Sequence, residues 1–184
     1  PYFYTMKLSE ITNFLETLAP LSYQEDYDNA GLIVGHPNDE IHAALVSLDC
    51  TEQIVDEAIA KNCNLIISHH PIVFKGLKKL NGKNYVERVI LKAIKNNIAL
   101  YAIHTNLDSV HHGVNAEICK RLGIGNTRIL APKSGILKKL VTLPPASSTI
   151  TLTAAISQFL PTVPGKIQAT NSPLATQTLA RIIL

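Results

Sequence analysis

Asn64-Leu65-Ile66-Ile67-Ser68-His69-His70-Pro71 is the stretch that decides how this chain folds. A short, unbroken apolar run reads as a strand buried on both faces, the habit of parallel strands. The pattern returns at Ile98-Ala99-Leu100-Tyr101-Ala102-Ile103, which runs into His104-Thr105-Asn106-Leu107-Asp108. In an open parallel sheet the carboxyl ends of the strands form the edge where ligands bind. Three imidazoles and a carboxylate are therefore expected together at that edge.

Working outward, a helix is expected over 9–18, with Ile11, Phe14, Leu15 and Leu18 on one face and Pro20 ending it. A turn at 27–31 precedes the apolar stretch 32–35. A strand is expected over 43–48, followed by a helix capped by Thr51 that buries Ile54, Val55, Ala58 and Ile59. After the strand at 64–68, a loop rich in Lys, Gly and Asn (75–84) leads to a helix with Val86, Val89, Ile90, Ala93 and Ile94 on one stripe. A helix over 114–122 should stop at Gly123, and Arg128-Ile129-Leu130 reads as a further strand. Alternation of strand and helix implies parallel strands joined by right-handed crossovers. The expected fold class is α/β, three-layer, with a mostly parallel sheet and helices on both faces.

The 184 residues suffice for a sizeable core, and 46% hydrophobic with 17% charged residues is a globular composition. No run is apolar enough to span a bilayer, and no signal peptide is visible. Met6 reads as the native start. Cys50, Cys63 and Cys119 lack metal-ligand spacing and read as reduced thiols of a cytoplasmic protein. The net charge of +3 divides unevenly: all fourteen acids precede residue 118, and residues 118–184 hold eight Lys/Arg and no acid. The basic residues are scattered and few aromatics accompany them, so nucleic-acid binding is not expected. Residues 144–184 hold five of the ten prolines and eleven Ser/Thr, with weak periodicity. A helix over 151–160 is the one element expected in this tail.

His69 and His70 are adjacent, so on extended backbone their side chains point to opposite sides. They can address two ions, or one ion and a supporting group. His and carboxylate donors without Cys suit Zn, Fe, Mn or Ni, and two ions about 3.5–4 Å apart would suit hydrolysis. His36, His42, His111 and His112 read as ordinary surface histidines. No phosphate-binding Gly loop and no Gly-x-Ser-x-Gly elbow is present.

Four blocks occur in order: Tyr27-Asp28-Asn29-Ala30-Gly31-Leu32, Leu48-Asp49-Cys50-Thr51, Ser68-His69-His70-Pro71 and His104-Thr105-Asn106-Leu107-Asp108. Together they resemble the signature of the NIF-three-like family, also called GTP cyclohydrolase I type 2-like proteins. The likeness covers roughly residues 6–143, taken as the family's N-terminal domain, with 144–184 an atypical tail that suggests truncation or an altered reading frame. The resemblance implies a dinuclear centre with His69, His70, His104 and Asp108 as ligands and two divalent ions per complete subunit site. It places Asp28, Asn29 and Asp49 nearby and implies a homohexamer. The family closes its site with a further His and Glu from a C-terminal block, and residues 118–184 contain neither type. The expected function is a metal-dependent hydrolase using metal-activated water on an unknown, nucleotide-related substrate. The alternative is a non-catalytic, oligomeric metal-binding or regulatory protein that binds other proteins.

Overall fold

The computed structural model describes residues 5–128, together with the backbone elements at 131–132, 138–139 and 168–171. In chain order the first elements are β1 (Met6–Lys7), α1 (Leu8–Leu18), a 3-10 turn (Leu21–Tyr23), β2 (Gly31–Val34), β3 (Glu40–Ile41), β4 (Ala43–Ser47) and α2 (Glu52–Ala60). There follow β5 (Leu65–Ser68), α3 (Tyr85–Lys95), β6 (Ala99–Ala102), α4 (Thr105–Asp108), α5 (Val114–Arg121), β7 (Ala131–Pro132), β8 (Lys138–Lys139) and β9 (Gln168–Asn171).

Five strands form the main sheet in the order β2-β6-β5-β4-β9. β4, β5 and β6 are parallel, in registers Ala44↔Leu65 and Leu65↔Ala99. Every residue of β5 and β6 is buried, as unbroken apolar runs require. Alternate side chains feed two cores. Ala44, Val46, Leu65, Ile67, Ala99 and Tyr101 pack on the face covered by Leu8, Ile11 and Leu15 of α1. Leu45, Ile66 and Leu100 face Ile54, Val55 and Ala58 of α2 and Val89, Ile90 and Ala93 of α3. The result is the expected three-layer α/β fold with a mostly parallel sheet.

Several local expectations are refined. β2 is antiparallel to β6, pairing Gly31 with Ala102. Its first residues follow Asp28, which is hydrogen-bonded to Thr105 at the carboxyl edge of the sheet, so the chain has to run back down from that edge. Ile59 and Ile94, expected inside, are 41% and 48% exposed, because each lies at the rim of its helix's apolar stripe. Thr51 caps α2 through Ile54 N–H, and Gly123 adopts φ +67 after α5. Arg128 lies in no element, and Ile129 and Leu130 fall outside the described residues, as does the helix expected over 151–160. Within the tail, β9 is an unexpected strand, parallel to β4 in register Ala43↔Gln168. No helix among the described residues is long and apolar enough to cross a membrane.

Candidate metal centre

The parallel ladder positions the histidines. Beyond the last residues of β4 and β5, hydrogen bonding between neighbouring strand ends continues: His69 N–H donates to Ser47 O (3.1 Å), His70 N–H to Leu48 O (2.9 Å) and Ile103 N–H to Ser68 O (2.9 Å). The two strand ends share one device. Ser47 Oγ donates to Asp49 O (2.8 Å) and Ser68 Oγ donates to His70 O (2.9 Å), each buried hydroxyl holding the carbonyl two residues on. The turns leaving β4 and β5 are thereby fixed where Asp49 and His70 must meet.

His69, His70 and His104 come together with ring centroids 5.0, 5.0 and 5.4 Å apart. One ring nitrogen of each lies within 4.8 Å of those of the other two. The Nδ1 atoms are all engaged: His69 with Ile103 O (2.9 Å), His70 with Asp49 Oδ1 (2.7 Å) and His104 with Asp28 Oδ1 (2.8 Å). A carbonyl or carboxylate oxygen only accepts, so Nδ1 carries the proton in each ring. The Nε2 lone pairs are then left for a ligand. This pairing of each imidazole with an acceptor is the usual support of metal-binding histidines. Asp108 Oδ1 lies 3.9 Å from His69 Nε2.

Two nitrogens bound to one ion at Zn–N lengths are at most about 4.2 Å apart. The cluster needs only small ring movements to reach that spacing, and the donor chemistry fits a divalent ion. Burial, with the neighbouring His70 and His104 rings, pulls His69 down to about 4, so its ring is neutral at neutral pH. Cys50, next to Asp49, is buried, and its thiol is pushed up to about 12 by burial and the Asp49 charge. It is a poor thiolate ligand.

Asp28 organises the other side. Its Oδ2 accepts from Thr105 N–H (3.0 Å) and the Thr105 hydroxyl, while Oδ1 accepts from Asn29 N–H (2.7 Å) as well as His104. Burial pushes this carboxyl up, but the hydrogen bonds from Thr105, His104 and Asn29 outweigh it and hold it below its ordinary value. Asn106, fully buried, accepts from His104 N–H (2.9 Å) and donates to Ala19 O (2.7 Å), tying the histidine to the end of α1. Gly113 closes the turn after α4. A Cβ there would sit 1.9 Å from Leu107 O.

The three histidines expected at the site are thus brought together, with Asp108 beside His69. Asp28 and Asp49 gain definite roles as partners of His104 and His70. Asn29 binds elsewhere, donating from Nδ2 to Val73 O (2.7 Å). Sequence reasoning missed Ser47, Ser68, Thr105 and Asn106. Its available signal was the matching serine at the end of both strands. The remaining histidines lie apart: His42 Nε2 meets Asn62 O (2.8 Å), His36 Nδ1 accepts from Asn38 N–H (3.2 Å), and His111 and His112 are exposed.

The family profile of Duf34/NIF3 (NGG1p interacting factor 3) matches residues 6–181. The chain belongs to the Duf34/NIF3 family. The match runs past residue 143 and takes in the tail that the four sequence blocks left out. A GTP cyclohydrolase 1 type 2 homolog of Clostridium acetobutylicum is 43% identical over 135 residues, covering 73% of this chain and 50% of the relative. A Staphylococcus aureus protein of the same description is 39% identical over 140 residues, 76% of this chain and 38% of the relative. The chain therefore spans half or less of these curated relatives. Among solved structures, a Bacillus cereus protein related to NIF3 superposes with TM-score 0.66 at 40% identity, over 70% of this chain and 36% of the other. Reduced HcgD from Methanocaldococcus jannaschii superposes with TM-score 0.65 at 28% identity, over 71% and 52%.

Proposed function

We propose that this Duf34/NIF3 chain carries the divalent-metal site of a metal-dependent hydrolase acting on a nucleotide-related substrate. The observation that carries the reading is the set of three histidines whose Nδ1 atoms are each committed to an acceptor, with one ring nitrogen of each within 4.8 Å of those of the other two. His69, His70 and His104 would hold the metal through Nε2, with Asp108 as the carboxylate ligand on the same edge. When bound there, a divalent ion would supply Lewis acidity and a more acidic water. The protein's own groups do the rest: Ile103 O, Asp49 and Asp28 orient the rings, and buried His69 keeps its lone pair free of protons at neutral pH. The relatives' description as GTP cyclohydrolase 1 type 2 homologs supports the nucleotide direction. We read the centre as part of a two-ion site in a cytoplasmic homo-oligomer, a hexamer by family likeness.

A second reading is a metal-holding regulatory protein that binds other proteins. In its favour, the carboxylates of Asp28 and Asp49 are taken up in orienting rings, and the hydroxyls of Ser47 and Ser68 in binding backbone carbonyls. Elemental analysis of purified protein, then titration of chelator-treated protein with Zn, Fe, Mn and Ni, tests the metal. Stoichiometric metal in the wild type and its loss in His104→Ala are expected. No metal and no uptake would end the proposal. Metal-dependent turnover of GTP separates the two readings, since the regulatory protein would load metal without hydrolysing it.

A further inference from the structure

The segment after Pro71 departs from everything around it. From residue 72 to residue 86 the sequence contains no acid, yet it carries Lys75, Lys78, Lys79 and Lys83. All four lysines are exposed, and among the described residues none makes an ion pair. Three large apolar side chains on the same loop also face solvent: Phe74 (51% exposed), Leu77 (38%) and Leu80 (47%). An isolated exposed apolar residue is ordinary, but three interleaved with unpaired cations make a contact surface.

Its placement assigns the contact. The Phe74 ring stands edge-on to His104, centroids 5.9 Å apart at 80°, at the rim of the histidine cluster. Both feet of the loop are fixed. Val73 O accepts from Asn29 Nδ2 (2.7 Å), stitching it to the segment that carries Tyr27, itself 68% exposed. At the other foot the Glu87 carboxylate accepts from Asn81 N–H (3.1 Å), Lys83 N–H (2.9 Å) and Asn84 Nδ2 (2.8 Å). Between them, among the described residues, no hydrogen bond holds 74–80. The loop has anchored ends, a free middle and an aromatic ring against the site.

We propose that residues 74–83 recognise a small phosphorylated molecule with a flat ring. Phe74 takes the ring beside the histidine cluster, and Lys75, Lys78 and Lys79 take the phosphate. Aromatic faces stack on planar rings, and lysine ammoniums bind phosphate as point charges. The carboxylates of Asp28, Asp49 and Asp108 repel an anion from the floor of the site, so its charged end belongs at the lysine-bearing rim. The inference rests on the histidine cluster being the functional centre, and the loop acts with or without metal.

Calorimetric binding of AMP, GMP and FMN, with adenosine and inorganic phosphate for comparison, tests it on the full chain. The wild type should bind at least one of the three about tenfold or more tighter than either comparison compound. Phe74→Ala should reduce that binding about tenfold, and Lys75→Gln/Lys78→Gln/Lys79→Gln should reduce it at least as much and flatten its salt dependence. The substituted side chains are exposed, and an unchanged melting temperature identifies a folded variant. No preference for AMP, GMP or FMN over inorganic phosphate overturns the proposal, as does wild-type binding in both folded variants. Tighter binding of a single-stranded oligonucleotide overturns it in favour of a nucleic-acid surface. Metal content measured on the same samples separates the claims. Loop-dependent binding without metal sinks the hydrolase reading alone, and metal without loop dependence sinks this one alone.

Discussion

Asp49 illustrates what a single side chain contributes to the centre. It touches the site only through His70 Nδ1, at 2.7 Å, and its carboxylate is part exposed, so its removal disturbs little packing. Asp49→Ala frees the His70 ring to turn and lowers its basicity. Metal affinity should fall about 10–100-fold, the usual effect of deleting such a partner, with the melting temperature of metal-free protein nearly unchanged. His42→Ala, at a ring bonded to Asn62 O away from the cluster, should leave affinity as it was. Competition titration against a chromophoric chelator measures both, and equal affinities for wild type and Asp49→Ala would refute the orienting role. At this scale the candidate ligands were legible because His69, His70 and His104 follow apolar strands directly, with Asp108 four residues beyond His104. The supports were less so. Asp28 meets Thr105 and His104 across more than seventy positions of chain, a separation that no local pattern encodes.

At the scale of elements, α2 and α3 are terminated by the same device. Asn62 and Asn97 have φ +52 and +53, and the following N–H groups, Cys63 and Ile98, reach back to Ala58 O (2.8 Å) and Ala93 O (2.9 Å). The left-handed residue turns each helix directly into β5 or β6. Asparagine tolerates that conformation better than most residues, and glycine tolerates it best. Asn97→Ala should therefore destabilise the fold by roughly 1 kcal/mol, while Asn97→Gly should be close to neutral. Urea denaturation of both variants measures this, and equal losses would point to the amide side chain rather than the backbone angle. The helices themselves were readable from Thr51 and from the apolar stripe on α3. The Asn84 cap, accepting from Glu87 N–H (2.9 Å), belongs to the same local grammar. β2 and β9 were harder, since their four-residue strands owe their places to partners far along the chain.

For the whole molecule, three titrating groups make acid destabilising in two stages. His69 has an ordinary value of 6.5 and lies at about 4 in the fold, because of burial and the neighbouring imidazoles. Between those values the unfolded chain takes up a proton that the native state refuses, so stability must fall as pH drops from 6.5 towards 4. The full shift is worth roughly 3 kcal/mol. Glu87, held below its ordinary value chiefly by the Lys83 N–H, and Asp28 act lower on the scale. Their contributions are complete above the ordinary carboxylate range and vanish as pH falls through their depressed native values. Chelator-treated protein should therefore lose urea resistance progressively from pH 6.5 to 4.5, above the depressed native values of Glu87 and Asp28. His69→Gln should flatten that first stage and leave the second. If wild type and variant decline in parallel between pH 6.5 and 4.5, the acid sensitivity has another origin. Bound metal should strengthen the wild-type dependence, because an ion that binds the native site adds stability which protonation of the imidazoles removes.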